Sequence, residues 1–170
     1  MKEGDLVLQP PGIRHRVLAS SAGLEVIEIS APALHPTLAD HQLALPNGVD
    51  GDQLFGGQHF LRHVAADTPW TPFNGAEAQE TGMPRATGGL ADVRTVRAGD
   101  APDIAFPAHD GELVFGSVLE GSARLDYRDG FDVQPADAFV IQPGERWGLD
   151  RMSGDFRLLH VVTGRLDAAA

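Results

Sequence analysis

Apolar and polar positions alternate over short stretches of this chain. Residues 88–97 show the alternation most clearly, which is typical of a strand with one face in water. Apolar runs of similar length occur at residues 112–119 and 122–127, and the turn Arg128-Asp129-Gly130 after the second run predicts a hairpin. No long stretch has a helical period. The pattern therefore predicts an all-β fold of short antiparallel strands, a sandwich or a barrel.

Two segments of the chain resemble each other at a separation of 132 positions. Residues 4–15 and residues 136–147 share an Asp, a Pro, a Gly and an Arg at equivalent places. The apolar runs that follow, residues 24–29 and 156–161, fall at the same separation. An internal repeat of this length indicates a duplicated supersecondary unit.

The first of these segments also resembles a known motif. It reads Gly4, five residues, Pro10, one residue, Gly12, two residues and His15, which is similar to the second sequence motif of the cupin family. The resemblance implies an antiparallel double-stranded β-helix, the cupin jelly-roll barrel. In that family the His of this motif is a metal ligand.

The resemblance further implies a bicupin-type chain with a truncated first cupin, because only three residues precede Gly4. We therefore expect extra N-terminal strands, at Gly4–Gln9 and Leu24–Ser30, in front of a complete barrel. We expect the C-terminal half of a cupin, as a strand hairpin, at residues 1–33 and a linker at residues 34–57. The complete cupin barrel is expected at residues 58–165 and a disordered tail at residues 166–170.

The complete barrel departs from the family pattern at its metal ligands. Val118–Gly121 resembles the end of the first cupin motif and sets the register. In that register the family's ligand positions fall on Pro107, His109, Val114 and Trp147. A single imidazole does not hold a catalytic metal, which usually takes three or four protein ligands. We expect a degenerate metal site and no cofactor; if one is bound, it is a divalent metal such as Fe, Mn, Ni or Zn.

Four side chains remain candidate metal ligands: His109, Glu112, His160 and His15. Glu112 lies two residues before Val114, so strand alternation places both on one face. The alternative is that these residues bind no metal: a buried His is hydrogen-bonded to a neighbour, Glu112 lies at the barrel mouth, and His15 lies at a sheet edge without a function. No residue is identified as catalytic.

Trp147 admits two interpretations. It either fills the cavity where the metal would lie, or forms one wall of an apolar ligand pocket with Val114, Phe115 and Val118.

Composition narrows the classes of partner. The formal net charge of −11 argues against nucleic acid, which requires concentrated Lys and Arg. The absence of cysteine excludes thiolate catalysis and cysteine-based zinc sites. No apolar run reaches membrane-spanning length, and residues 1–5 contain no apolar signal-peptide core. We expect a cytoplasmic protein without a membrane partner.

These observations favour a cupin-domain protein that acts as a small-molecule-binding or structural module with a degenerate metal site. One alternative is a metal-dependent oxidoreductase, dioxygenase or isomerase of the bicupin type. Another is a metal-free, sugar-epimerase-like enzyme in which His109 is the base and Tyr127 the acid. Because apolar strands do not stay solvated alone, the N-terminal strands either extend a sheet of the complete barrel or cross to a second chain. The cupin resemblance implies the second arrangement, and we expect a homodimer formed through these strands.

Overall fold

The regular secondary structure of the described residues is almost entirely β-strand, as the alternating pattern predicts. The computed structural model describes residues 1–31, 38–42, 44, 50–101 and 103–164. One short helix, α1 (Met83–Ala86), and a 3-10 turn at Ala65–Asp67 interrupt the described strands. These strands are β1 (Leu6–Leu8), β2 (Leu54–Phe55), β3 (Gln58–His59), β4 (Leu61–His63), β5 (Thr71–Phe73), β6 (Ala76–Glu80), β7 (Ala91–Arg97), β8 (Asp103–Phe106), β9 (Leu113–Glu120), β10 (Ala123–Asp126), β11 (Phe131–Val133), β12 (Ala138–Ile141), β13 (Trp147–Asp150) and β14 (Arg157–Thr163).

Two antiparallel sheets form the body of the protein. One sheet has the strand order β12-β9-β14-β7-β6-β5, and the other has the order β11-β10-β13-β8. Side chains from both sheets meet in one core, which includes Val96, Val118 and Leu158 from the first sheet and Leu125 and Leu149 from the second. The structure confirms the predicted all-β jelly-roll fold.

The hairpin predicted around Arg128-Asp129-Gly130 is also confirmed. Strands β10 and β11 pair so that Leu125 lies opposite Phe131. Both Arg128 and Gly130 have a positive φ, 55° and 71°, and this left-handed backbone reverses the chain within a short loop.

Strand β14 is the most extensively paired element of the fold. It pairs with β7 on one edge and with β9 on the other over its whole length. Leu158 and His160 point between the two sheets, while Leu159 and Val161 point to the opposite face, and all four are buried. A strand covered on both faces favours apolar residues at successive positions, and five of the seven residues at 156–162 are apolar.

The N-terminal strand lies in a small separate sheet. Strand β1 pairs with β4 rather than with either large sheet. Polar contacts at Ala65 link this small sheet to the barrel. The carboxylate of Asp5 accepts from the main-chain N–H of Ala65 at 3.1 Å, and the side-chain amide of Gln79, on β6, donates to the Ala65 carbonyl at 2.8 Å.

The structure differs from the prediction at Leu24–Ser30. This segment forms no strand, although Gly4–Gln9 contains β1 as expected. Its apolar side chains are exposed, up to 74% for Val26. No described strand lies beside it to satisfy its backbone N–H and C=O groups, and a strand without neighbours is not stable in water. The predicted tail, residues 166–170, and part of the predicted linker lie outside the described residues.

No helix in the described ranges is long and apolar enough to span a membrane.

We expect the substitution Leu158→Ala to destabilise the protein by roughly 2–5 kcal/mol, because it removes a fully buried side chain from the central strand. The matched control is Leu119→Ala on the neighbouring strand β9, where the side chain is 36% exposed and the expected cost is about 1 kcal/mol or less. Urea unfolding measures both values. Equal losses for the two variants would contradict the central position of β14.

Candidate functional site

One row of side chains crosses the large sheet and points into the barrel. His160 on β14 lies directly opposite Gly116 on β9 and Arg94 on β7. Phe139 on β12 lies opposite Gly116, and Glu80 on β6 lies opposite Arg94. Residues directly opposite each other share a face of the sheet. The row therefore brings one imidazole, one aromatic ring and the Arg94 guanidinium to one face of the sheet, and it ends at the exposed carboxylate of Glu80.

The His160 imidazole is a member of an aromatic stack. Phe106 and Trp147, which lie opposite each other on β8 and β13, stack with centroids 3.9 Å apart and ring planes 2° from parallel. His160 lies 5.3 Å from Phe106, 5.8 Å from Trp147 and 6.0 Å from Phe73. Each such ring pair contributes about 0.5–1.5 kcal/mol beyond the burial of its area. These four side chains, Phe73, Phe106, Trp147 and His160, are called the ring stack below.

Gly116 makes room for a further ring beside this stack. A Cβ atom at Gly116 would overlap the ring of Phe139. Because the glycine carries no side chain, Phe139 lies across β9 and meets Trp147 edge-on, with centroids 5.5 Å apart. The interior next to His160 is thus occupied by aromatic rings.

Burial keeps His160 uncharged at neutral pH. Its side chain is 5% exposed, and desolvation lowers its pKa to about 4. The positive charge of Arg94 and the nearby His109 lower this pKa further, whereas Asp92 opposes the shift. The Nδ1 atom of His160 is buried and has no hydrogen-bond partner among the described residues.

Arg94 lies at the edge of the ring stack, and two carboxylates contact its guanidinium group. Its guanidinium group contacts the carboxylates of Asp92 at 2.9 Å and Glu80 at 3.2 Å. The same group lies over the ring of Phe73, 4.7 Å from the ring centroid. Two carboxylates and one aromatic face therefore share a single cation, which favours a fixed structural position for Arg94.

His109 is held by the loop in front of β9. Its Nε2 atom donates to the carbonyl of Ile141 at 3.3 Å, and its main-chain carbonyl accepts from the N–H of Gly144 at 2.9 Å. Because Nε2 carries the proton in this bond, Nδ1 carries the free lone pair. That Nδ1 atom is buried without a partner in the part of the chain described.

The other two candidate ligands lie elsewhere. The side chain of Glu112 is exposed, and its main-chain N–H donates to Thr163 at 2.8 Å. His15 belongs to the N-terminal region, where its main-chain N–H donates to Leu38 at 3.0 Å. Among the described residues, no group of three or more His, Asp or Glu side chains is placed to hold a metal ion. The residues present therefore do not fit the metal that the cupin resemblance implies.

Three of the four expected pocket-lining residues lie together. Val114, Val118 and Trp147 are buried in the core. Phe115 lies on the opposite face of β9, where it pairs with Val140 and Val161.

A surface depression of about 390 Å³ lies apart from the ring stack, at the β10–β11 hairpin. It is lined by polar and charged side chains that include Arg124, Asp132 and Arg151. Both arginines already contact the carboxylate of Asp132, at 3.5 and 3.6 Å. None of its lining residues belongs to the ring stack, so we do not assign the candidate site to it.

Tyr127 does not approach His109. Its hydroxyl group donates to Glu145, and this bond raises the pKa of Tyr127 and lowers the pKa of Glu145. Arg128 lies over the Tyr127 ring at 5.0 Å and contacts the same carboxylate. The described contacts therefore do not form the His109–Tyr127 pair that the epimerase-like alternative requires.

Sequence reasoning missed Phe73, Phe106, Phe139 and Arg94. Phe106 immediately precedes Pro107, which falls at a family ligand position, and Phe139 lies within one of the two repeated segments. These positions are the signals from which both residues could have been found. Nothing in the sequence indicates that Phe73 and Arg94 meet, because they lie on different strands and contact through the fold.

Comparison with known proteins identifies the fold. No family model matches this chain, and no curated protein matches it in sequence. The structure of KdgF from Halomonas sp. is similar at a TM-score of 0.51 with 15% identity, over 64% of this chain and 98% of that chain. A predicted oxalate decarboxylase from Thermotoga maritima is similar at 0.51 with 13% identity, over 61% and 98%.

A third structure, the plu4264 protein from Photorhabdus luminescens, is similar at a TM-score of 0.50 with 12% identity, over 59% of this chain and 83% of that chain. The chain therefore shares the fold of these structures, an antiparallel jelly-roll barrel of the cupin type. Identities this low establish the fold and not an activity.

We expect His160 to make stability depend on pH. Its folded pKa, about 4, lies below its ordinary value of 6.5, so the unfolded chain binds the additional proton. The contribution of neutral His160 to the free energy of unfolding is complete above pH 6.5 and decreases as the pH falls toward 4. Between pH 7 and pH 5 the loss from this group is about 2 kcal/mol.

Urea unfolding at both pH values, on the natural protein and on His160→Gln, isolates this contribution. The variant is expected to lose less stability between the two pH values than the natural protein does. The control is His41→Gln, because His41 is exposed and its replacement is expected to leave the pH dependence unchanged. An identical pH dependence for all three proteins would show that His160 is not held uncharged by burial.

Proposed function

We propose that this chain is a cupin domain without a metal centre of its own, and that it acts as a structural module within an assembly. The observation that carries this proposal is the ring stack. Trp147 occupies the position of a family metal ligand, and its ring lies 3.9 Å from Phe106. Close-packed rings take the volume in which a metal and its substrate would lie.

The donor set supports the same proposal. Of the family's four ligand positions, only His109 carries a ligating side chain. His160 is another imidazole at this end of the barrel, and it packs beside the stacked rings of Phe106 and Trp147. Two imidazoles fall short of the three or four protein ligands that a catalytic metal usually takes.

The internal repeat supports the interpretation of residues 1–33 as the second half of a cupin. Strand β1 corresponds in the repeat to β12, and both are short apolar strands. Under the bicupin-type alternative, metal chemistry would belong to that half, where His15 is the residue that matches the motif.

A second candidate function is the binding of a small organic molecule at the barrel mouth. Among the described residues, five buried histidine nitrogens have no hydrogen-bond partner, and it is favoured by the two that lie at this end of the barrel, Nδ1 of His109 and Nδ1 of His160. Buried polar atoms without partners are uncommon, and a bound molecule would satisfy them. Entry of such a molecule requires movement of Phe139 or Trp147.

The proposal predicts a metal content well below one ion per chain. Elemental analysis for Fe, Mn, Ni and Zn tests this on protein purified without a histidine tag or chelating resin, before and after incubation with each metal. The His109→Gln variant is the control and is expected to give the same value. Near-stoichiometric metal in the natural protein that is lost in His109→Gln would overturn the proposal and favour the metal-dependent alternative.

The second candidate predicts that a ligand changes the fluorescence of Trp147. The chain contains two tryptophans, so Trp70→Phe leaves Trp147 as the sole reporter. Titration with small neutral heteroaromatic compounds is expected to give saturable quenching, which is weakened by His109→Ala. Quenching that is linear with concentration, or identical in the His109→Ala background, would exclude a specific site.

A further inference from the structure

Two arginine side chains converge in the surface depression at the β10–β11 hairpin, away from the ring stack. Arg124 lies on β10, and Arg151 directly follows β13. Nη1 of Arg124 and Nη2 of Arg151 lie 3.5 and 3.6 Å from the same oxygen, Oδ1 of Asp132. Two guanidinium groups that point at one oxygen define a position for an oxyanion. The carboxylate of Asp132 occupies that position.

Asp132 is held loosely by these two contacts. Its side chain is 82% exposed, and both distances exceed the about 2.7–2.9 Å of a good charge-assisted hydrogen bond. Exposed ion pairs of this kind contribute little to stability. The Asp132 side chain therefore turns into water at small cost and leaves both guanidinium groups to a ligand.

The two arginines are directed toward the depression by other contacts. A Cβ atom at Gly130 would lie 2.5 Å from Nη2 of Arg124, so this guanidinium group packs against the backbone of the hairpin turn. Nε of Arg151 donates to Asp150 at 3.0 Å. Arg151 also has a φ of 51°, and Ala136, in the loop that borders the depression, has a φ of 74°. Side chains with a Cβ rarely adopt this backbone, and such strained positions cluster at ligand clamps and active sites.

Asp137 brings a negative charge to the same depression. Its Oδ2 atom accepts from the main-chain N–H of Gln134 at 2.9 Å. None of the ion pairs between described residues includes Asp137. A carboxylate without a cationic partner favours a ligand that carries its own positive charge. The net charge of −11 likewise opposes a simple anion but not a ligand without net charge.

We propose that the surface depression binds a small zwitterion, an amino acid, whose carboxylate replaces that of Asp132 between the two arginines and whose ammonium group faces Asp137. The volume of about 390 Å³ is within the range of small-molecule sites. Because the charged groups are exposed, we expect a Kd of roughly millimolar order. The inference goes beyond the proposed structural role and involves no residue of the ring stack.

Titration of the natural chain with glycine and with L-glutamine, followed in two-dimensional ¹H–¹⁵N NMR spectra at low ionic strength, tests the proposal. Both probes are expected to give saturable shifts of the main-chain signals of residues 122–124, 132–134, 137 and 151. Acetate lacks the ammonium group, methylammonium lacks the carboxylate, and inorganic phosphate is a simple oxyanion. Each of these three is expected to bind at least tenfold more weakly than glycine.

Shifts that do not saturate, or that lie outside the depression, would overturn the site. Acetate or phosphate that binds as tightly as glycine would overturn the assignment of a zwitterion.

Two substitutions test the exchange of carboxylates. Arg151→Gln is expected to raise the Kd for glycine at least tenfold, because it removes one of the two guanidinium groups. Asp132→Asn removes the internal competitor and is expected to lower the Kd several-fold. The matched control is Asp129→Asn, which removes the same charge from an exposed position in the hairpin turn and is expected to leave the Kd unchanged. Weaker binding by Asp132→Asn, or equal effects of the two Asp→Asn substitutions, would contradict the exchange.

Asp137→Asn tests the position of the ammonium group. The variant keeps an oxygen for the N–H of Gln134 and loses the charge, so it is expected to weaken glycine binding at least tenfold without weakening acetate binding. Unchanged affinity for glycine would show that the ammonium group does not face Asp137. The metal analysis and the Trp147 titration involve none of these residues, so the proposals fail separately.

Discussion

The structure depends on the position of β14 between β7 and β9. Pairing on both edges satisfies the backbone of this strand, and burial of Leu158 and Leu159 covers both of its faces. Because the strand is fixed on all sides, the residue at its centre, His160, has little freedom of position. The site at the barrel mouth is therefore a consequence of how the central strand is packed.

The same constraint determines the chemistry available to His160. An imidazole inside an aromatic stack is desolvated, so its pKa falls and it remains neutral. A neutral buried imidazole is acceptable as a packing element beside Phe106 and Trp147. As a metal ligand it would need two further donors in reach, and the described residues provide no such group.

Residues 24–30 show the opposite situation to that of β14. Residues 24–30 have nearly the same pattern of apolar residues as the start of β14, but they lie without neighbouring strands and remain in water. A similar apolar pattern thus leads to a buried central strand in one place and to exposed residues in the other. Strand formation is decided by the partners that satisfy the backbone of the strand.

The sequence by itself determined the all-β class and the hairpin at Arg128–Gly130, and it has the non-ligating residues Pro107, Val114 and Trp147 where the cupin resemblance implies ligands. These features follow from alternation, turn residues and motif spacing, which are local. Only the tertiary structure decided that Phe73, Phe106 and Arg94 surround His160, that Phe115 faces away from the interior and that residues 24–30 form no strand. These depend on contacts between strands far apart in the chain, whose register is set when the two sheets pack.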